Sequence, residues 1–319
     1  MRNSSDLPGG PNGPVFRLPN FGKPSRGRIV ISVVVGLVLL LLFSARATSS
    51  FYVNVLWFNS VGRSDVYWAI LRSKAELVGV FTVGCFLFLW VNLLIADRLA
   101  PLTLPNTPED QTVIRIRELT AKSRGKLRIA LAVLMGIMLG LPASSQWQEW
   151  TMFRNRQAFS VGDPLFKANV GFYVFRLPFA QFVVAWSFGA LVLVTIITTA
   201  FHFINGSIRP QDRVQRVTSQ AKVHLSVLLA VGTLLRAADY WLSKYQLTSS
   251  TRSVVRGALY TDVNAQLPAL NLMVLVSLAV TALLLWNIRQ KGWRLPVLAI
   301  GLWVVVALAV GTVYPAIIQ

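Results

Sequence analysis

GFYVFRLPFAQFVVAWSFGALVLVTIITTAFHFI, residues 171–204, changes character at Arg176. Before that arginine lie Phe172, Tyr173 and Phe175; after it no Asp, Glu, Lys or Arg occurs until Arg209. An uncharged run of this length exceeds the roughly 17 to 25 residues that carry a helix across a hydrocarbon core. Pro178 suits the first turn of that helix, where a missing N–H costs nothing. Arg176 can reach back to the headgroups while its stem stays among apolar groups. The stretch therefore reads as a membrane-surface segment leading into a transmembrane helix, with the three rings at headgroup depth. Arg294-Leu295-Pro296 repeats the device from the opposite side.

The same pattern recurs along the chain. Uncharged runs cover Ile29–Ala45, Leu77–Ala96, Ile129–Gln148, Val263–Ile288 and Leu295–Gln319, and Val223–Leu242 is broken only by Arg236 and Asp239. Hydrophobic residues make up 54% of the 319 and charged residues 13%, against about 25% charged in soluble domains. Backbone in lipid must satisfy its own hydrogen bonds, which leaves helices as the reading for such runs. The expected fold is all-α: a polytopic membrane protein, a bundle of seven transmembrane helices with aromatic-rich outer loops. Its spans are expected at about 29–58, 75–96, 127–147, 177–205, 223–242, 263–288 and 295–315.

A net charge of +19 raises the question of nucleic acid, and its distribution answers it. With a cytoplasmic N-terminus, residues 1–28, 97–128, 206–222 and 289–294 carry 19 of the 31 Lys and Arg. That is the positive-inside bias, which places the N-terminus in and the C-terminus out. Basic loops beside an anionic leaflet account for the charge without a nucleic-acid partner. The expected location is the bacterial plasma membrane, multi-pass, with the lipid bilayer as the first partner.

Residues 1–28, rich in Pro, Gly and basic side chains, read as a disordered cytoplasmic tail, and residues 29–319 as the membrane domain. Ala45-Arg46-Ala47 has the outline of a signal-peptidase site, but an arginine within it and the 28 residues ahead of the apolar run, long for an n-region, favour an uncleaved anchor. Between the second and third spans, Val113, Ile116 and Leu119 fall at helical spacing among charges, as in a short amphipathic helix on the inner leaflet. Cys85 is the only cysteine, so no intrachain disulfide forms.

Aromatic residues are distributed unevenly. The outer segments hold nineteen, nine of them between Trp147 and Phe179, against Phe16, Phe21 and Trp293 inside. An ordinary aromatic belt decorates both interfaces, so the excess marks a docking layer. Its candidate members are Trp57, Trp150, Phe172, Tyr173, Phe175 and Trp241.

Signatures of chemistry are scarce. There is no HExxH, CxxC, GxSxG or GxxxxGK, so no catalytic, cofactor-binding or metal site is assigned. His202 and His224 lie near inner helix ends, too few to ligate a metal, and read as interfacial or hydrogen-bonded residues. Arg236 and Asp239, three apart, form a candidate intramembrane ion pair. Gly136 and Gly140 make a GxxxG suited to close helix packing, within the bundle or between protomers.

Seven stretches carry a resemblance: LWFNSVG (56–62), QWQEW (146–150), FSVGDPLFKANVGFYVFRLPF (159–179), AKVHLSVLLA (221–230), ADYWLSKYQL (238–247), YTDVNAQLPA (260–269) and GWRLPVLAI (292–300). They are similar to those of the UPF0182 family of actinobacterial-type membrane proteins. The resemblance implies a seven-helix N-terminal part followed by a large extracytoplasmic domain, expected after residue 319, and implies no catalytic residue, cofactor or substrate. Asn169 departs from it, standing where an acidic residue is implied. The expected function is a membrane platform or anchor that docks an extracytoplasmic domain or a cell-envelope partner. The alternative is a transporter or channel subunit for an ion, lipid or small solute, which predicts a polar cavity at mid-membrane.

Overall fold

The computed structural model describes residues 26–101, 123–209, 217–250, 257–290 and 294–309. Most of the expected tail, the amphipathic segment around 113–119 and residues 310–319 lie outside them. Every regular element among the described residues is helical: α1 (Arg26–Ser60), α2 (Ser64–Arg98), α3 (Arg124–Gly140), α4 (Trp147–Arg154), α5 (Leu177–Ile204), α6 (Ser219–Gln246), α7 (Leu267–Trp286) and α8 (Arg294–Leu308). A 3-10 turn, Leu141–Gln146, joins α3 to α4 as one rod. Six helical segments are long and apolar enough to cross a membrane: Val30–Ser60, Ser64–Arg98, Arg124–Arg154, Phe172–Ile204, Ser219–Ser249 and Asp262–Arg289. The seventh expected span is represented by a shorter apolar helix, Pro296–Leu308.

The chain divides into two compact units, residues 1–69 and 70–319. In the first, α1 carries a long apolar run broken at Arg46, and its described side chains are almost all exposed, as suits a helix solvated by lipid. It ends in a Schellman motif: Arg63 N–H donates to Phe58 O at 2.8 Å and Gly62 N–H to Asn59 O at 3.0 Å. Gly62 has φ +68°, which a side chain would strain. Phe58 then stacks on Tyr67 at 5.2 Å, closing the start of a helical hairpin.

α2 begins at Ser64, in the first unit and eleven residues before the expected 75, because Arg72, Lys74 and Glu76 are compatible with helix although they interrupt an uncharged window. Its partner is the α3–α4 rod. A Cβ on Gly136 would lie 2.9 Å from Thr82 O, and one on Gly140 only 2.7 Å from Thr82 Cα. The two glycines thus bring the backbones of α2 and α3 together inside the chain. Phe81, Leu77, Ala143 and Phe179 form one layer of the core, and Leu89, Leu93, Ala132 and Val194 the next, so α5 closes a three-element bundle with α2 and α3. α6 runs antiparallel to α5: Gln246 bonds Gln181 at one end, and His224 meets His202 at the other. α7 packs on α6 and α8 on α7, around Ala230, Val280, Leu284 and Ala299.

α5 and α7 start in the same way. Phe172–Arg176 and Asp262–Gln266 are single π turns that run directly into Leu177-Pro178 and Leu267-Pro268. The stretch at residues 172–176, read from the sequence as a membrane-surface segment, is itself helical. In α geometry the proline ring collides with the carbonyl four residues back. Widening the turn, so that Leu177 N–H bonds Phe172 O and Leu267 N–H bonds Asp262 O, removes the collision.

Candidate functional site

The bundle has two ends of different chemistry. Among the described residues, one, the aromatic end, carries 155–171, 247–250 and 257–261; the other, the histidine end, carries 98–101, 205–209, 217–218 and 287–290.

At the aromatic end, the segment between α4 and the first π turn is held by polar contacts. Gly162 pairs with Asn169 in an antiparallel bridge, and Asp163 N–H bonds Ala168 O at 2.8 Å. Asn169 works in both directions. Its Oδ1 accepts from Phe159 N–H at 3.0 Å and Gly171 N–H at 2.8 Å, while its Nδ2 donates to Phe159 O. A carboxylate cannot supply that last bond. Gly171 permits the close approach, since a Cβ there would sit 2.2 Å from Gln157 O.

Three of the six expected docking residues converge on one ring that was not among them, Tyr245. Phe172, Tyr173 and Trp241 lie 5.0, 6.2 and 5.3 Å from it, with Phe166 at 5.0 Å. Phe175 stacks on Phe159 at 5.8 Å. Trp150 is half-buried against Phe179 and donates its indole N–H to Glu76 at 3.0 Å, where Arg154 also binds at 2.6 Å. Trp57 belongs to the α1–α2 hairpin and stands 57% exposed. Around this scaffold Phe159, Val161, Leu165 and Tyr260 are exposed.

Within α6, Arg236 Nη1 lies 2.6 Å from Asp239 Oδ2 and Nη2 lies 3.3 Å from the Tyr240 hydroxyl. The guanidinium also rests 5.3 Å from the Phe188 ring and 4.9 Å from Tyr240. Counting 1.5 Å per residue, Arg236 is about 15 Å and Asp239 about 10 Å from the end of α6 at Gln246.

The histidine end holds what the sequence reading undervalued. His202 and His224 are buried and face each other at 3.1 Å, and His224 Nε2 lies 3.0 Å from Asn92 Oδ1. The hydrogen-bond pattern sets a direction. Asn92 Nδ2 donates to Phe88 O at 2.6 Å, so its Oδ1 accepts from His224 Nε2–H. Neutral His224 then accepts at Nδ1 from His202 Nε2–H. His202 Nδ1 and Thr198 Oγ1, one turn apart, are buried without a hydrogen-bond partner. A second chain runs beside it: Asn205 Nδ2 donates to Asp97 Oδ1 at 2.9 Å, and Asp97 pairs with Arg128 at 2.6 Å. Buried Lys222 donates to Gln290 O. Among the described residues, no group of three His, Cys, Asp or Glu side chains is placed to hold a metal ion. The histidines were expected near helix ends, and the antiparallel pairing of their helices was the signal that would have placed them opposite each other. Asn92, the one amide in its apolar run, was the signal for the third member.

The family model described as "Uncharacterised protein family (UPF0182)" matches residues 30–319. This chain belongs to the UPF0182 family. Curated UPF0182 relatives agree: a protein of Frankia casuarinae is 34% identical over 295 residues, covering 92% of this chain and 29% of the relative. One from Thermobifida fusca is 35% identical, covering 94% and 30%, and one from Streptomyces coelicolor 32% identical, covering 98% and 31%. The chain thus spans about three tenths of the length of the UPF0182 proteins it matches. No solved structure matches it significantly.

Proposed function

We propose that this UPF0182 chain is a non-catalytic membrane platform whose aromatic end seats a folded extracytoplasmic region of the kind the longer relatives have length to encode, or an envelope partner. The observation that carries the reading is the contrast within residues 155–170. The backbone there is tied down by Asn169 and Asp163, yet Phe159 is 46%, Val161 64% and Leu165 36% exposed. Apolar side chains held outward on a fixed scaffold are the mark of an interface. Trp241, 45% exposed, and Tyr260, 77% exposed, extend the same end. Limited proteolysis of residues 149–176 tests it, in this chain and in a full-length relative. Slower cutting in the longer protein supports docking; equal rates refute it.

The same reading takes the chain as a plasma-membrane protein of seven spans, with α8 the start of the last, the N-terminus inside and the aromatic end outside. Cysteines introduced at Asp110 and Arg252 and labelled from outside intact cells test the orientation. Labelling at 252 alone supports it, and labelling at 110 alone reverses it. The runner-up, a transporter or channel subunit, draws on the buried His202–His224–Asn92 chain, since ionisable groups inside a membrane domain are costly and commonly serve transport.

A further inference from the structure

A groove of about 230 Å³ is lined by α5, α6 and α8. On α6 its lining residues run from Leu228 to Arg236, a length of about 12 Å at 1.5 Å per residue. Two threonines and a tryptophan line it, but their polar atoms are engaged elsewhere. Thr195 Oγ1 donates to Leu191 O at 2.7 Å, Thr233 Oγ1 pairs with Ala230 O and Thr281 Oγ1, and Trp303 Nε1 donates to Ser277 Oγ at 2.9 Å. The surface left facing the groove is hydrocarbon, except at the end nearest the aromatic loops. There Arg236 lines it, and the guanidinium spends one nitrogen on Asp239 and one on Tyr240. Five N–H donors give an arginine capacity beyond those two contacts.

Size and polarity together select the occupant. A length of about 12 Å of a helix roughly 10 Å across fills about 940 Å³, more than the roughly 670 Å³ of empty space the groove offers out to its open side. A helix of a second copy does not fit, whereas a single extended hydrocarbon chain does. The lone polar station at one end calls for an amphiphile with oxygen acceptors at its head. We infer that the groove is a binding site for one acyl chain of a glycerophospholipid, whose phosphate or ester oxygens rest on Arg236. Gly232 belongs to the wall: a Cβ there meets only Leu191 Cδ2, at 3.3 Å, so a larger side chain enters the groove instead of breaking the helix contact.

The test is photolabelling of the 319-residue chain in phosphatidylglycerol vesicles doped with an acyl-diazirine phosphatidylglycerol, with labelled peptides mapped by mass spectrometry. Label should concentrate on residues 188–196 and 228–236 over the exposed lipid-facing positions Val80 and Leu275. Gly232→Leu should lower groove labelling several-fold and leave Val80 and Leu275 unchanged. If that variant melts earlier than the parent, Thr195→Phe narrows the groove from α5 and is read the same way. Even labelling over all helix faces, or labelling undiminished in both variants, overturns the site. So does a chain-to-chain crosslink from a photoreactive residue at Val192, which would make the occupant a second copy.

Discussion

Gly140→Ala offers a sharp test of the packing between α2 and α3. The new Cβ would lie 2.0 Å from Thr82 Oγ1, which can rotate away, but also 2.7 Å from Thr82 Cα and N, which cannot. Restoring ordinary contact at 3.4 Å or more requires the helices to part by about 0.7 Å, which opens the layers built on Leu89, Leu93 and Ala132. Overpacking of this kind costs about 1 to 3 kcal/mol. The gain from alanine's better helix propensity, at most about 1 kcal/mol, does not offset it. Gly136→Ala meets Thr82 O at 2.9 Å and should cost less. Gly84→Ala, on the same pair of helices, meets nothing within 4 Å and should be neutral or slightly stabilising. Thermal unfolding in one detergent, read by the monodisperse fraction surviving size exclusion, should rank the stabilities Gly84→Ala, Gly136→Ala, Gly140→Ala from highest to lowest. A Gly140→Ala protein that survives as well as the Gly84→Ala control would show that the two backbones do not meet at Thr82.

Neutralising Arg236 or Asp239 singly should cost up to about 3 kcal/mol by stranding a partly buried charge, and Arg236→Gln with Asp239→Asn should cost less than either; single variants milder than the double in the same melting assay would refute the pairing. Asn169→Asp should destabilise the 155–171 segment by about 1 kcal/mol through the lost donation to Phe159 O, read as faster proteolysis there with no change elsewhere. His224→Phe strands His202 Nε2–H and Asn92 Oδ1 and should cost about 1 to 3 kcal/mol for each group left unsatisfied, whereas unchanged melting would mean that the chain of bonds contributes nothing.

The fold was largely legible because one physical rule governs it. Uncharged runs longer than a bilayer core must be helices, and six of them are long and apolar enough to span. The ends were not legible by that rule. α2 continues through Arg72, Lys74 and Glu76 because a helix is indifferent to charge once Trp150 and Arg154 satisfy the carboxylate. The π turns before Pro178 and Pro268 follow from the proline clash, which acts between residues four apart and leaves composition unmarked. At the sites, Arg236 and Asp239 were visible because they share a helix face three residues apart. His202, His224 and Asn92 come from three different helices, and only the antiparallel pairing of α5 with α6, with α2 against them, brings the three together. The same holds in part for Tyr245: Trp241 lies one turn back on α6, but Phe172 and Tyr173 reach it from the π turn before α5, distant in sequence.

The paired π turns give the bundle a mechanical property. Each carries one residue more than an α-helical turn would, about 100° of rotation between the loop before it and the helix after it. Pro178 and Pro268 block the return to α phasing, so neither turn can slip to absorb a change in the loop. α5 and α7 are in this sense splined shafts. An insertion or deletion within residues 172–176 or 262–266 has to emerge as a rotation of the helix itself, and the surfaces it would turn are those bearing His202 at the far end of α5 and Ser277, with its bond to Trp303, midway along α7.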